Sequence, residues 1–155
     1  MTDPGSVVGT ISLALQVLKG LKWYYSQFRS YHDDIEAIAT RTESIEQILL
    51  VIQQPISKLW RDDDELSIEV QKCVAACRQA TVRLQEYQHK CEQPDHVPNM
   101  IKKRLVLVKQ RAFYPFRKDT LQDMQSILEK LLSNLTIVIQ CLDLYALVHA
   151  AEGLV

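Results

Sequence analysis

Turn-forming residues are scarce, with only four glycines and five prolines in 155 residues. The many short strands of a sandwich or barrel need more chain reversals than these can supply. Cysteine is almost as sparse. Cys73, Cys77, Cys91 and Cys141 fall inside helical stretches and form no CxxC pair. That excludes a disulfide or zinc framework of ordinary spacing and points to a reducing compartment. Also missing are a Gly-rich phosphate loop, an HExxH stretch and the paired Glu-xx-His motifs of a di-iron bundle. His32, His89, His96 and His149 have no Ser, Cys or carboxylate at the offset of a nucleophile and its base. No enzyme activity, metal or cofactor is expected. Met1-Thr2-Asp3 lacks the positive stretch of a secretory signal, so the apolar run after it is expected to belong to the folded domain.

What is present is helical periodicity. Asp3 and Pro4 open a first helix expected to reach about Phe28, with Val7, Ile11, Ala14, Leu18, Leu21, Tyr25 and Phe28 recurring along it. Asp33 and Glu36 form a capping box for a second, which carries Ile35, Ile38, Ile45, Ile48, Leu49 and Ile52 before Pro55 is expected to stop it. Asp62 and Glu65 repeat the pattern for a third, running to about Glu92. Pro94 and Pro98 break the chain, a short helix is expected from about Pro98 to Ala112, and Pro115 ends it. Asp119 and Gln122 cap a last long helix, with Leu121, Met124, Leu128, Leu131, Leu135, Val138 and Leu142 in a seven-residue pattern. The expectation is a single all-α domain over 1–155, a mostly antiparallel bundle of four long helices plus one short one.

Charge is unevenly spread behind a formal total of −1. Residues 96–118 hold Lys102, Lys103, Arg104, Lys109, Arg111, Arg117 and Lys118 with no Asp or Glu, a local +7. Such a run is often a solvated face neutralised by its neighbours. It also suits anionic lipid, to which each basic residue near a membrane contributes about 1 kcal/mol. Nucleic acid is not expected, because the pI is near neutral and no nucleic-acid motif accompanies the cluster.

From Pro4 to Leu18 there is no charged side chain. A helix over that stretch is about 22 Å long, short of a hydrocarbon core of about 30 Å. Spanning length is reached only by including Lys19 and Lys22, so insertion would be conditional. Gly9, Ser12, Gln16 and Gly20 sit opposite the apolar stripe, and Gly5 with Gly9 give the small-xxx-small spacing of close helix contacts in lipid. On periodicity alone the stripe reads as bundle core; the same face can also serve a bilayer in a second state.

The Asp3-Pro4-Gly5-Ser6-Val7 entry, Tyr24-Tyr25 near the end of the first helix, the Tyr114-Pro115-Phe116-Arg117 turn and the Asn134-Leu135 step carry a resemblance over nearly the whole chain. The sequence resembles the HeLo-like N-terminal domains of fungal STAND and NLR-type receptors, relatives of HeLo and mixed-lineage-kinase-like cell-death bundles. That resemblance implies a membrane-permeabilising execution domain, cytoplasmic at rest and at the plasma membrane when active. It implies self-association on activation and control by a receptor module in cis or trans. Val7, Val8, Ile11, Leu13, Leu15, Leu18 and Leu21 would then insert, the seven basic residues of 96–118 would bind anionic lipid, and Tyr114, Pro115 and Phe116 would form a fold-defining corner. The competing expectation is a protein-interaction module that passes assembly signals through helix contacts without lipid.

Overall fold

In the computed structural model, residues 4–29, 33–59, 65–92 and 117–153 are described. Among them are four helices and no strand: α1 (Pro4–Ser26), α2 (Asp33–Leu59), α3 (Glu65–Glu92) and α4 (Lys118–Gly153). The chain is all-α. The short helix expected over 98–112 and the Tyr114-Pro115-Phe116 corner lie outside the described residues, as do Asp3 and Asp62.

All four helices bury their apolar faces in one shared core, from Val7 and Leu18 of α1 and Ile45 of α2 to Leu84 of α3 and Leu128 of α4. Each stripe recurs at three- and four-residue steps, which is what a helix needs to hold one face against its neighbours. α1 packs on α2 and α3, and α4 packs on the same two, so α1 faces α4 and α2 faces α3 across the diagonals. Directions follow from side-chain pairs. Lys22 meets Glu46 at 2.6 Å and Arg29 meets Glu43 at 3.1 Å, which sets α1 and α2 antiparallel. Arg83 reaches Asp123 at 3.2 Å, setting α3 and α4 antiparallel. Asp34 accepts from Gln125 and Arg41 pairs with Glu129, both near the starts of their helices, so α2 and α4 run parallel. Likewise Gly20 lies against Gln88, late in both α1 and α3. Helices consecutive in sequence are thus antiparallel, and because α2 and α3 stand diagonally opposite, two of the neighbour pairs are parallel.

One end of the bundle, called proximal here, is where α1 and α3 begin and α2 and α4 finish; the distal end is the reverse. Near the distal end, Tyr25 donates its hydroxyl hydrogen to the Met124 sulfur at 3.2 Å, and Tyr24 packs edge-on against Tyr25. α1 stops at Ser26 rather than Phe28. The Phe28 N–H then donates to the Tyr25 carbonyl at 3.0 Å, tucking the buried Phe28 ring under the helix end.

Two further helix boundaries differ from expectation. α2 continues through Pro55 to Leu59. The proline removes an N–H donor and crowds the Val51 carbonyl, but Val51 and Pro55 face solvent, so water can take up that acceptor. Ile52 and Ile56, both buried, hold the helix on its other side. Pro55→Ala restores the missing backbone bond and is expected to stabilise the protein by up to about 3 kcal/mol, read as a higher melting temperature. An unchanged or lower midpoint would mean that the helix does not continue past Gln54. At α4, the first backbone bond runs from the Leu121 N–H to the Arg117 carbonyl, so Asp119 lies inside the first turn rather than at the cap. Its carboxylate there still favours the positive end of the helix dipole.

Candidate functional site

The residues expected to insert in a membrane divide by exposure. Val7, Ile11, Leu18 and Leu21 are buried in the core, and Leu13 and Leu15 are partly buried against it. Only Val8, 41% exposed, is available without moving α1. A methyl group added at Gly9 would meet nothing within 4 Å, and Gly5 falls in the first turn of α1. The close approach of α1 to a neighbour is made instead at Gly20, where an added Cβ would collide with the Gln88 amide. Lys22 is held by Glu46, whose side chain is 10% exposed.

Of the seven basic residues, Lys102, Lys103, Arg104, Lys109 and Arg111 lie outside the described residues. Arg117 and Lys118 are exposed at the distal end, with Arg117 paired to Asp119 at 3.3 Å. Val7 and Val8 stand toward the other end of a helix 23 residues long, about 27 Å along its axis from Ser26 at 1.5 Å per residue. Only a bundle lying on its side could bring Val8 and Arg117 or Lys118 to one flat surface together; upright on either end, it presents one set and not the other.

A different site emerges once the helices are placed. A small apolar cavity is lined by Thr10 and Ile11 of α1, Leu49 and Ile52 of α2, Val74 and Cys77 of α3, and Leu135 and Val138 of α4, which fixes one level in all four helices. At and beyond that level, toward the proximal end, three helices lose their charge. Residues 4–18 of α1, 47–57 of α2, and 131–142 and 144–151 of α4 contain no Lys, Arg, Asp or Glu. The described charged side chains of this half are Glu65, Glu69 and Lys72 of α3 with Asp143 and Glu152 of α4, a net −3. Five of the six ion pairs among the described residues belong to the distal half; Lys72–Glu69, at 4.0 Å, is proximal.

Exposed aliphatic side chains follow the same division. Ten large apolar residues stand out in solvent among the described ones, and eight of them are proximal: Val8, Leu50, Val51, Ile68, Ile137, Leu144, Leu147 and Val148. Trp23 and Val82 are the distal two. Because α2 and α4 run parallel with Arg41 level with Glu129, equal steps along both bring Val51 and Pro55 level with the stretch from Ile137 to Leu147. From Ala146 to Gly153 every residue is exposed. α4 is the described helix long and apolar enough to cross a membrane, its best 18-residue window having a mean hydropathy of 1.7 with 28% of it buried. Sequence reading concentrated on the charge gap in α1. The gaps in α2 and α4 are equally visible in the sequence, but only the topology gathers them at one end.

The thiols offer little chemistry. Burial pushes Cys77 up to about 12, and burial followed by the nearby Glu69 carboxylate raises Cys73 and Cys141. All three therefore remain protonated near neutrality and are poor nucleophiles. Among the described residues no group of three His, Cys, Asp or Glu side chains is placed to hold a metal ion.

Comparison with known proteins returns no matching family model and no matching solved structure. The chain is similar to the azaphilone pigments biosynthesis cluster protein L of Monascus ruber, with 28% identity over 122 residues. The match covers 77% of this chain and 25% of that protein, so it spans about a quarter of the relative's length.

Proposed function

We propose that this chain is a non-catalytic execution domain that permeabilises membranes, that its charge-poor, aliphatic proximal end is the part that meets the bilayer, and that a STAND or NLR-type receptor module controls it. The observation that supports this reading is the gathering of three charge gaps and eight exposed aliphatic residues at one end of an otherwise charged bundle. The uncharged stretches of α1, α2 and α4 lose little on leaving water, whereas each charge taken to the bilayer centre costs about 2.5–3.5 kcal/mol on translocon scales. The resemblance to HeLo-like domains supports the same class. The match to one quarter of a longer relative fits a domain that works within a larger protein.

α1 remains the inserting segment in this reading, but it does not leave first. Its seven buried apolar side chains from Val7 to Tyr25 contribute about 1.5–3 kcal/mol each. Their sum, roughly 10–20 kcal/mol, matches or exceeds the whole stability of a typical domain. Release into water would be unfolding, so α1 exchanges its core neighbours for acyl chains only after the proximal end has docked. Self-association raises the local number of such ends, and the resting domain stays in the cytoplasm.

Dye leakage from vesicles tests the proposal. Leakage is expected to fall when lysines are placed at exposed proximal positions and to be indifferent to changes at Trp23. Equal sensitivity at the two ends would refute it. Removing residues 1–21 is not diagnostic, because it takes away a quarter of the core whichever function is correct. The protein-interaction reading is favoured by the depth at which α1 is buried; it predicts no leakage from the folded protein under any lipid composition.

A further inference from the structure

α4 carries a second stripe besides the one it buries. Lys130, Ser133, Ile137, Gln140, Leu144, Leu147 and Ala151 recur at alternating steps of three and four, and all are exposed. They lie on the side turned away from Leu128, Leu131, Leu135 and Val138, which face the core. Steps of three and four are those of a helix seam that packs on another helix. The proximal part of this stripe is aliphatic, with Val51 and Pro55 of α2 alongside, while its borders are charged. Lys130 stands at one limit and Glu152 at the other, and neither has an ion-pair partner among the described residues.

We propose that this stripe receives a second copy of the same chain, the two α4 helices lying antiparallel about a two-fold axis beside Gln140. The inference rests on the domain's self-association and not on its reaching lipid. In that arrangement Ile137 of each copy meets Leu144 of the other. Lys130 comes level with Glu152 of the second copy, and the symmetry makes this pair twice. An isologous contact needs a self-complementary surface. An apolar stretch flanked by one cation and one anion at nearly equal distances supplies it, whereas a head-to-tail contact would leave both borders unmatched.

The seam runs along one helix for 23 residues, about 34 Å. A single-helix face of that length falls below the roughly 800 Å² per partner of a stable complex, so the dimer is weak in free solution. Receptor modules that hold copies at effective concentrations of about 1 mM would populate it. Assembly elsewhere in the larger protein would thereby pair two copies with their proximal ends pointing in opposite directions and with Ile137, Leu144 and Leu147 covered.

Sedimentation equilibrium on the whole chain without lipid, from about 10 µM to about 1 mM, tests the contact. The wild type is expected to show reversible monomer and dimer. Lys130→Glu and Glu152→Lys should each weaken the dimer roughly tenfold, since two attractive pairs become repulsive. The double variant should recover it, because the pairs re-form with reversed sign. Leu144→Asp should abolish the dimer while leaving the melting temperature unchanged, as Leu144 is outside the core. A protein that is monomeric at every concentration, a dimer blind to both reversals, or a double variant as weak as its parents would overturn the proposal. Leakage by a strictly monomeric protein would refute this contact alone, and a dimer that never permeabilises vesicles would refute the membrane reading alone.

Discussion

Leu18→Ala is expected to destabilise the folded protein by about 2–5 kcal/mol, lowering its melting temperature by roughly 5–20 °C. Leu18 is fully buried at the centre of the α1 stripe, between Val17 and Leu21. Truncation removes its transfer free energy and leaves a cavity that the surrounding helices fill only in part. α1 also starts from a weak intrinsic position, since Gly9 and Gly20 each cost about 1 kcal/mol relative to alanine in a helix interior. The helix therefore depends on tertiary contacts, and removing one at its centre is felt by the whole bundle. Denaturant titration should show a lower midpoint with an unchanged slope. A loss under about 0.5 kcal/mol, the range of ordinary surface substitutions, would mean that α1 is not core.

The second large effect is on membranes. Val51→Lys with Leu147→Lys should lower binding to neutral vesicles about 100-fold or more, with leakage falling in parallel. Val51 is 72% exposed and Leu147 is 67% exposed, so neither change disturbs packing. At depths short of the bilayer centre each lysine costs roughly 1.5–3 kcal/mol, and two independent sites add. Neutral lipid matters for this comparison, because anionic headgroups would attract the new ammonium groups and conceal the loss. Trp23→Lys supplies the control. Trp23 is 69% exposed at the distal end, and charging it should leave binding where it was. Full leakage by the double variant would place the membrane contact somewhere other than this end.

The four long helices were legible in the sequence because caps, stripes and breaks coincide. Asp33 with Glu36 marks the observed start of α2, and α3 ends at Glu92, where it was expected to. Pro55 was misleading for a physical reason: the backbone acceptor it strands lies on the solvent side, where the loss is small, and Ile52 and Ile56 anchor the same turn from within. The Val7, Ile11, Leu18 and Leu21 stripe could be recognised as apolar but not assigned to core or bilayer, since both environments ask for the same side chains. Neighbour relations were not legible at all. The parallel pairing of α2 with α4 depends on contacts such as Arg41–Glu129, separated by 88 positions. Without it the uncharged stretches of α1, α2 and α4 are three unrelated runs rather than one end of a molecule. The distances between Val8 and Arg117 or Lys118 follow from the same arrangement and separate two sets of residues that sequence reading had joined in one mechanism.

The orientation of the bundle on a bilayer is the point from which everything else follows, and tryptophan quenching by brominated lipid reads it directly. Two single-tryptophan proteins suffice, one retaining Trp23 with Trp60→Phe, the other carrying Leu147→Trp with Trp23→Phe and Trp60→Phe. With neutral vesicles, the indole at position 147 should be strongly quenched while Trp23 keeps the emission it has in water. Quenching of Trp23 with position 147 left in water would show the distal end against the membrane and contradict the account.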